Sequence, residues 1–321
     1  MRIDLAGWTR EATLGDHRAF LDLFDRADRL GFDGVWFNEF HFHQPILPYP
    51  STLLLAAAIF ARTGRLRVGT SVLVLPLHHP LMLAEQIAQA DWQSGGRLDI
   101  GIGRGTEPAS LAALGIAADE TRLRFERGFD LLRQALSQPT VASDHGPWIF
   151  DAVAVGPRPV QQPHPPFYVA GSTPETLGFA VAHDLPLLLS LEPPEGRQLG
   201  IYRDLLATSG RSGALGRSSL SRYVCIGATA QAAEGLLDTL LTRRRDRRLA
   251  RGLPPDDGTM FRRDQVIVGD PDMCIGQIKA LATATGIMGL RCIFNGNGVL
   301  DNSTAMAGMA LFAGAVLPAL R

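Results

Sequence analysis

The sequence predicts an α/β protein, a (β/α)8 TIM-type barrel in one domain of residues 1–321, on three observations. Strand-like and helix-like segments alternate from end to end. The run Val68-Gly69-Thr70-Ser71-Val72-Leu73-Val74-Leu75-Pro76 is apolar and β-branched, and a helix at 80–94 and a second apolar strand at 98–101 follow it. Two buried strands joined by one helix make a parallel βαβ unit. No linker long enough to divide the chain interrupts the alternation. An open doubly wound sheet is the alternative architecture.

The elements follow in order. A first strand at 3–7 leads to a helix at 16–30, which stops at Gly31, a residue suited to the left-handed position after a helix. A second strand at 34–38 and a helix at 52–63 precede the βαβ unit, whose strands lie at 67–73 and 98–101. After a helix at 122–136 comes an excursion, 146–166, with an alternating run and then Pro157-Arg158-Pro159-Val160-Gln161-Gln162-Pro163. Such a proline-rich stretch is a stiff, extended approach to the fifth strand at 167–170. Helices at 174–183, 197–208, 229–251, 271–284 and 303–320 then alternate with strands at 185–189, 221–226 and 290–295. The loop after the seventh helix, 252–264, carries Pro254-Pro255-Asp256-Asp257-Gly258, and is read as a mobile lid or as a solvated insert.

With 46% hydrophobic residues the chain can bury a large core, and a formal charge of −1 argues against nucleic acid or an anionic membrane as partner. There is no uninterrupted apolar run of about 18 residues, hence no expected membrane span. The start, Met1-Arg2-Ile3-Asp4-Leu5, has no leader-like apolar run. Cys225, Cys274 and Cys292 are odd in number and lack CxxC spacing, as befits reduced thiols in a cytoplasm.

Chemistry in parallel α/β proteins sits at the carboxyl ends of strands. There the second strand offers Asn38-Glu39-Phe40-His41-Phe42-His43, polar groups packed between aromatics, with His41 the candidate proton carrier. His78 and His79, between Pro76 and Pro80, read as turn and helix-start residues. No acid cluster pairs these histidines into a convincing metal site, so none is expected. Gly101-Ile102-Gly103-Arg104-Gly105 lacks dinucleotide-fingerprint spacing and follows the fourth strand, so its glycines are read as room for a flat ligand. Gly171-Ser172-Thr173-Pro174-Glu175-Thr176 opens a helix, with Thr173 as cap and Pro174 at the first position. Ser172 with Glu175 is a capping box in the alternative register. Capping alone accounts for the motif, and so does an anion site that places phosphate opposite Arg104.

At these residues the chain resembles the bacterial luciferase-like monooxygenases, flavin-dependent (β/α)8 barrels. The match runs through Gly31-Phe32-Asp33-Gly34-Val35-Trp36 with Glu39-Phe40-His41-Phe42, the 68–76 run with His79-Pro80, and the 101–105 glycines. It continues at Pro157-Arg158-Pro159-Val160-Gln161, Ala170-Gly171-Ser172 and Val268-Gly269-Asp270-Pro271. The resemblance implies reduced FMN (FMNH2), its phosphate held by Arg104 with Gly171, Ser172, Thr173 and Thr176, and O2 chemistry through a C4a-peroxyflavin. It implies a non-proline cis peptide at Ser71-Val72 against the flavin ring, with Gly103 and Ser190 lining the pocket. Trp8, Phe40, Phe42 and Leu191 would shape a largely apolar substrate site. A separate flavin reductase and a homodimer through the second and third helices are further implications. Where luciferases carry two adjacent histidines after the glutamate, this chain has Phe40-His41, so aldehyde chemistry is not implied. The rival on the same fold is an oxidoreductase using the deazaflavin F420; a non-catalytic flavin-binding protein is the rival of another class.

Overall fold

The computed structural model describes residues 1–8, 16–43, 47–105, 107–191, 195–254 and 262–321. The fold is α/β with a mostly parallel central sheet. Its first elements are β1 (Arg2–Leu5), α1 (His17–Leu30), β2 (Gly34–Phe37), α2 (Thr52–Phe60), β3 (Arg67–Thr70) and β4 (Leu73–Val74). Next come α3 (Pro80–Ser94), β5 (Leu98–Gly103), α4 (Pro108–Ala113), α5 (Thr121–Ser137), β6 (Val141–Ser143), β7 (Phe150–Val153) and β8 (Phe167–Val169). There follow α6 (Pro174–Ala182), β9 (Leu188–Leu189), α7 (Glu195–Ser209), β10 (Ser219–Ile226) and α8 (Ala230–Ala250). The last are β11 (Val266–Gly269), α9 (Pro271–Thr285), β12 (Gly289–Ile293), α10 (Asn302–Ala315) and α11 (Leu317–Leu320).

The contacts group the chain into two compact units, one of Met1–Trp36 with Ser172–Arg321, the other Phe37–Gly171. In the first, β1 lies parallel between β12 and β2, and β10 pairs in parallel with β9, β11 and β12. Helix α1 begins at Asp16, whose carboxylate accepts from the Arg18 and Ala19 N–H groups, and ends at Gly31 with φ +93°. Phe20, Leu21, Leu23, Phe24 and Ala27 form its buried stripe, at the spacing of a helix with one apolar face. Tyr223, Cys225, Val266, Val268 and Ile293 pack with Ala233, Leu237 and Leu240 in one core cluster. All three cysteines are buried and unbridged. On β1 Asp4 is fully buried, accepting from the Trp36 indole N–H at 2.7 Å and pairing with Arg2 at 2.8 Å.

In the second unit β5 is the hub, parallel to β3, β4 and β8. The expected strand 67–73 is broken into β3 and β4. Between them the Ser71-Val72 peptide is cis, as the resemblance implied. Thr70 joins β3 to β5: its hydroxyl donates to the Gly101 carbonyl at 2.8 Å and accepts from the Gly101 N–H at 2.9 Å. At the opposite ends of these strands Arg67 pairs with Asp99 at 2.7 Å and reaches Gln161 at 3.0 Å, while Gln161 also donates to Asp91 at 2.7 Å. That network ties the proline-rich stretch down. Ahead of it β7, inside the excursion, pairs antiparallel with β6, which lies just before the excursion begins.

Three readings are corrected. The single last helix divides at Val316, ahead of Pro318, into α10 and α11. Helix α4 was not foreseen, although Pro108 at its first position is a start signal. The box of Ser172 with Glu175 is not the register used: Thr173 caps α6, its hydroxyl accepting from the Thr176 N–H at 3.4 Å. Most of the proposed lid loop, 255–261, lies outside the described residues. No helix among those described is long and apolar enough to cross a membrane.

Candidate functional site

Within Phe37–Gly171, the carboxyl ends of β2, β4 and β5 carry the groups with unusual chemistry. Phe37 accepts from the Ser71 N–H at 2.7 Å, and the Asn38 amide donates to the Ser71 carbonyl at 2.7 Å. One residue later Glu39 turns inward, 6% exposed. Its carboxylate accepts from the Val74 N–H at 2.7 Å through Oε2. His78 Nε2 sits 2.9 Å from Oε1 and 3.1 Å from Oε2, and His41 Nε2 lies 3.2 Å from Oε1.

Burial alone would raise the Glu39 pKa. The hydrogen bonds from His41 and His78, the charge of His78 and the Val74 N–H outweigh it, and the value falls from 4.5 to about 2. His41 moves the other way: its bond to Glu39 lifts it above 6.5 against the cost of burial. A buried carboxylate held ionised beside a histidine held protonated can store and release a proton near neutral pH.

Glu39 thus joins His41 and His78, a pairing that nothing in the sequence marked. His79 does cap α3, accepting from the Leu81 N–H at 3.3 Å, but His78 is a partner of Glu39 and not merely a turn residue. The three ligand atoms lie within 4.8 Å of one another, close enough for one metal ion. Oε2 already accepts from the Val74 N–H, and we read the trio as hydrogen-bonded.

Beside the trio is a pocket walled by Phe40, Val74, Leu77 and Leu111, with Glu39, His41 and Glu107 as its ionisable lining. Ser110, also in the wall, donates to the His41 carbonyl at 2.7 Å and fixes that turn. Phe40 lines this pocket, whereas Phe42, at φ 54°, is 58% exposed. Glu107, Ser110 and His78 escaped the sequence reading. The signal for the first two was the start of α4.

The residues of this unit that the sequence marks for a cofactor form a packed wall beside a cation, and the room at the glycines is taken by valine side chains. A Cβ built on Gly103 would stand 2.6 Å from Val72 Cγ2, so only glycine admits that side chain against the β5 backbone. Gly105 meets Val74 in the same way. Next to them Arg104 is half-buried, and among the described residues no hydrogen bond or ion pair engages its guanidinium. A half-buried cation without a protein partner is suited to an anion such as phosphate. Gly171 closes the unit just past β8.

In the other unit, Ser172, Thr173 and Thr176 form the N-terminal turn of α6, whose first N–H groups face outward from the helix start. Ser190 follows β9 directly, and Leu191 packs partly buried against the cluster around Tyr223. Trp8, past the end of β1, is 1% exposed with its ring edge on Phe24, and its indole N–H finds no hydrogen-bond partner among the described residues.

Residues 3–288 match the family described as luciferase-like monooxygenase. Two Sinorhizobium fredii proteins are 35% and 30% identical over 51% and 58% of this chain, which spans only 47% and 53%, about half, of their length. The alkanal monooxygenase alpha chain of Photorhabdus luminescens is 26% identical, with 92% of this chain and 89% of that one covered. Among solved structures, monooxygenase RslO1 of Streptomyces bottropensis superposes with TM-score 0.81 at 26% identity, covering 99% of each chain. The oxygenating constituent of 3,6-diketocamphane monooxygenase from Pseudomonas putida, in complex with FMN, gives 0.77 at 20% identity, with 99% and 98% covered. The F420-dependent tetrahydromethanopterin reductase of Methanopyrus kandleri gives 0.70 at 18%, with 99% and 98% covered. The last two share the fold alone.

Proposed function

The chain belongs to the luciferase-like monooxygenase family, and from that premise we propose a flavin-dependent monooxygenase that uses reduced FMN and O2 on a small, largely apolar organic substrate. The (β/α)8 barrel expected from the sequence is part of this reading. The observation that carries it is the seat made by Val72 against Gly103 beside the uncommitted Arg104. Reduced FMN, when bound, would supply the electrons that let O2 deliver one oxygen atom to the substrate.

The protein's own part is binding, orientation and proton handling. Arg104 takes the cofactor phosphate, and Ser71, Val72 and Gly103 take its ring. The start of α6, at Ser172, Thr173 and Thr176, with Gly171 before it, is proposed as a second anion-binding element; Ser190, Trp8 and Leu191 are proposed as pocket residues on their own unit. Phe40, Val74, Leu77 and Leu111 keep water from the substrate pocket. His41, held by Glu39 through Nε2, makes no other side-chain hydrogen bond among the described residues. Its Nδ1 is thereby left to hold or release a proton at a substrate atom.

The F420 reading is retained because an F420-dependent enzyme shares the fold and Arg104 suits either phosphate. We also propose a homodimer through α2 and α3, where Leu54, Met82 and Trp92 are exposed, a separate flavin reductase, and a cytoplasmic site of action. The experiment is an anaerobic titration of the protein with reduced FMN and with F420, followed by mixing with O2. Tighter FMN binding and flavin oxidation slower than that of free flavin support the monooxygenase. Tighter F420 binding with unprotected oxidation replaces it with the hydride-transfer enzyme, and binding without turnover on any substrate favours the flavin-binding protein.

A further inference from the structure

Glu39 has two oxygens to share among three donors. Val74 holds Oε2 from one side, which alone leaves the carboxylate free to pivot about that contact. His78 Nε2 spans both oxygens, at 2.9 and 3.1 Å, and so resists rotation of the carboxylate plane. The His41 contact is the longest of the set, 3.2 Å to Oε1, and a small rotation would break it first. The two imidazoles do not stack on one another: their centroids are 6.3 Å apart at 68°. What joins them is the carboxylate.

We infer that His78 is a positioning residue: it locks the Glu39 carboxylate so that Oε1 faces His41, and His41 keeps its proton on that side. The lock requires a proton on His78 Nε2, because an unprotonated nitrogen would turn its lone pair against the carboxylate. A merely competitive role, with two histidines drawing on one negative charge, predicts the opposite response to losing His78. Competition relieved would raise the His41 pKa; positioning lost would lower it toward the ordinary 6.5. Glu107, which lines the same pocket as His41, is the same in every variant and cancels. The inference rests on the functional reading only in calling His41 the proton carrier, and its test needs no turnover.

The experiment is a long-range proton–nitrogen NMR titration of the full chain with 15N-labelled histidine, without cofactor, for wild type, His78→Ala and His78→Gln. Wild type should show His78 protonated at Nε2 and the His41 midpoint above the ordinary value. In His78→Ala the His41 midpoint should fall by about half a pH unit or more, and His78→Gln, whose amide N–H can replace Nε2, should restore most of it. An unchanged or higher midpoint in His78→Ala overturns the inference. So does a wild-type His78 protonated only at Nδ1, a result that needs no variant to fold. Either failure leaves the FMN titration unaffected, and a failed FMN titration leaves this result standing.

Discussion

Replacing Glu39 by glutamine should remove a pH dependence of stability that the trio creates. The Glu39 pKa is depressed from 4.5 to about 2. A depressed carboxylate contributes stability above its unfolded pKa and loses it as pH falls through the folded one. The group is buried, so solvent screens it little, and the depression corresponds to about 3 kcal/mol at neutral pH. By pH 3 about 2 kcal/mol of that should be gone. His41 has the opposite sign. Its pKa is raised, so its contribution is full below 6.5 and fades as pH rises through the folded value. Both effects come from one contact and are not summed. The stability difference between wild type and Glu39→Gln should therefore be largest between 4.5 and 6.5, where the carboxylate is ionised and the imidazole protonated. Urea denaturation of both proteins in steps from pH 8 to pH 3 measures it, because the carboxylates common to both cancel in the difference. A difference that stays constant across that range refutes the reasoning.

Three further outcomes are expected. Gly103→Ala sets a Cβ 2.6 Å from Val72, whose branched side chain yields poorly, and should cost about 1–3 kcal/mol in thermal denaturation; adding Val72→Ala should recover much of the loss, and no recovery would mean that the clash lies elsewhere. Arg104→Ala should weaken binding of reduced FMN about tenfold or more in a fluorescence titration while leaving riboflavin, which lacks the phosphate, nearly unchanged; equal losses for both ligands would remove Arg104 from the phosphate site. Asp4→Ala leaves the Trp36 N–H and the buried side of Arg2 without their acceptor and should cost about 3 kcal/mol in urea denaturation, against which a loss under about 1 would count.

The alternation of strands and helices was legible because each element carries its own period and its own end signals. Gly31 after α1, Thr173 with Pro174 before α6 and Pro80 opening α3 stand in the structure where turn and cap chemistry put them. What escaped was non-local. Glu39 and His78 are far apart in the chain and meet only because the ends of β2 and β4 in one unit bring them together. A histidine beside another histidine and two prolines looks like a turn, and nothing local marks which one faces a carboxylate. The break of the third strand was legible only through the family resemblance, since Ser71 and Val72 suit an unbroken strand by propensity. Helix α4 was missed for a simpler reason: six residues are too few to show a period.

The network of Arg67, Asp99, Asp91 and Gln161 has a consequence for how this chain can vary. It clasps the proline-rich stretch at the ends of β3 and β5 away from Glu39, His41 and His78. The β6–β7 hairpin is spliced in ahead of that clasp, so changes in its length are absorbed before the chain re-enters the sheet. Natural or engineered insertions in the hairpin can therefore accumulate while β8 stays in register with β5, and the pocket keeps its walls while the surface around the excursion is rewritten.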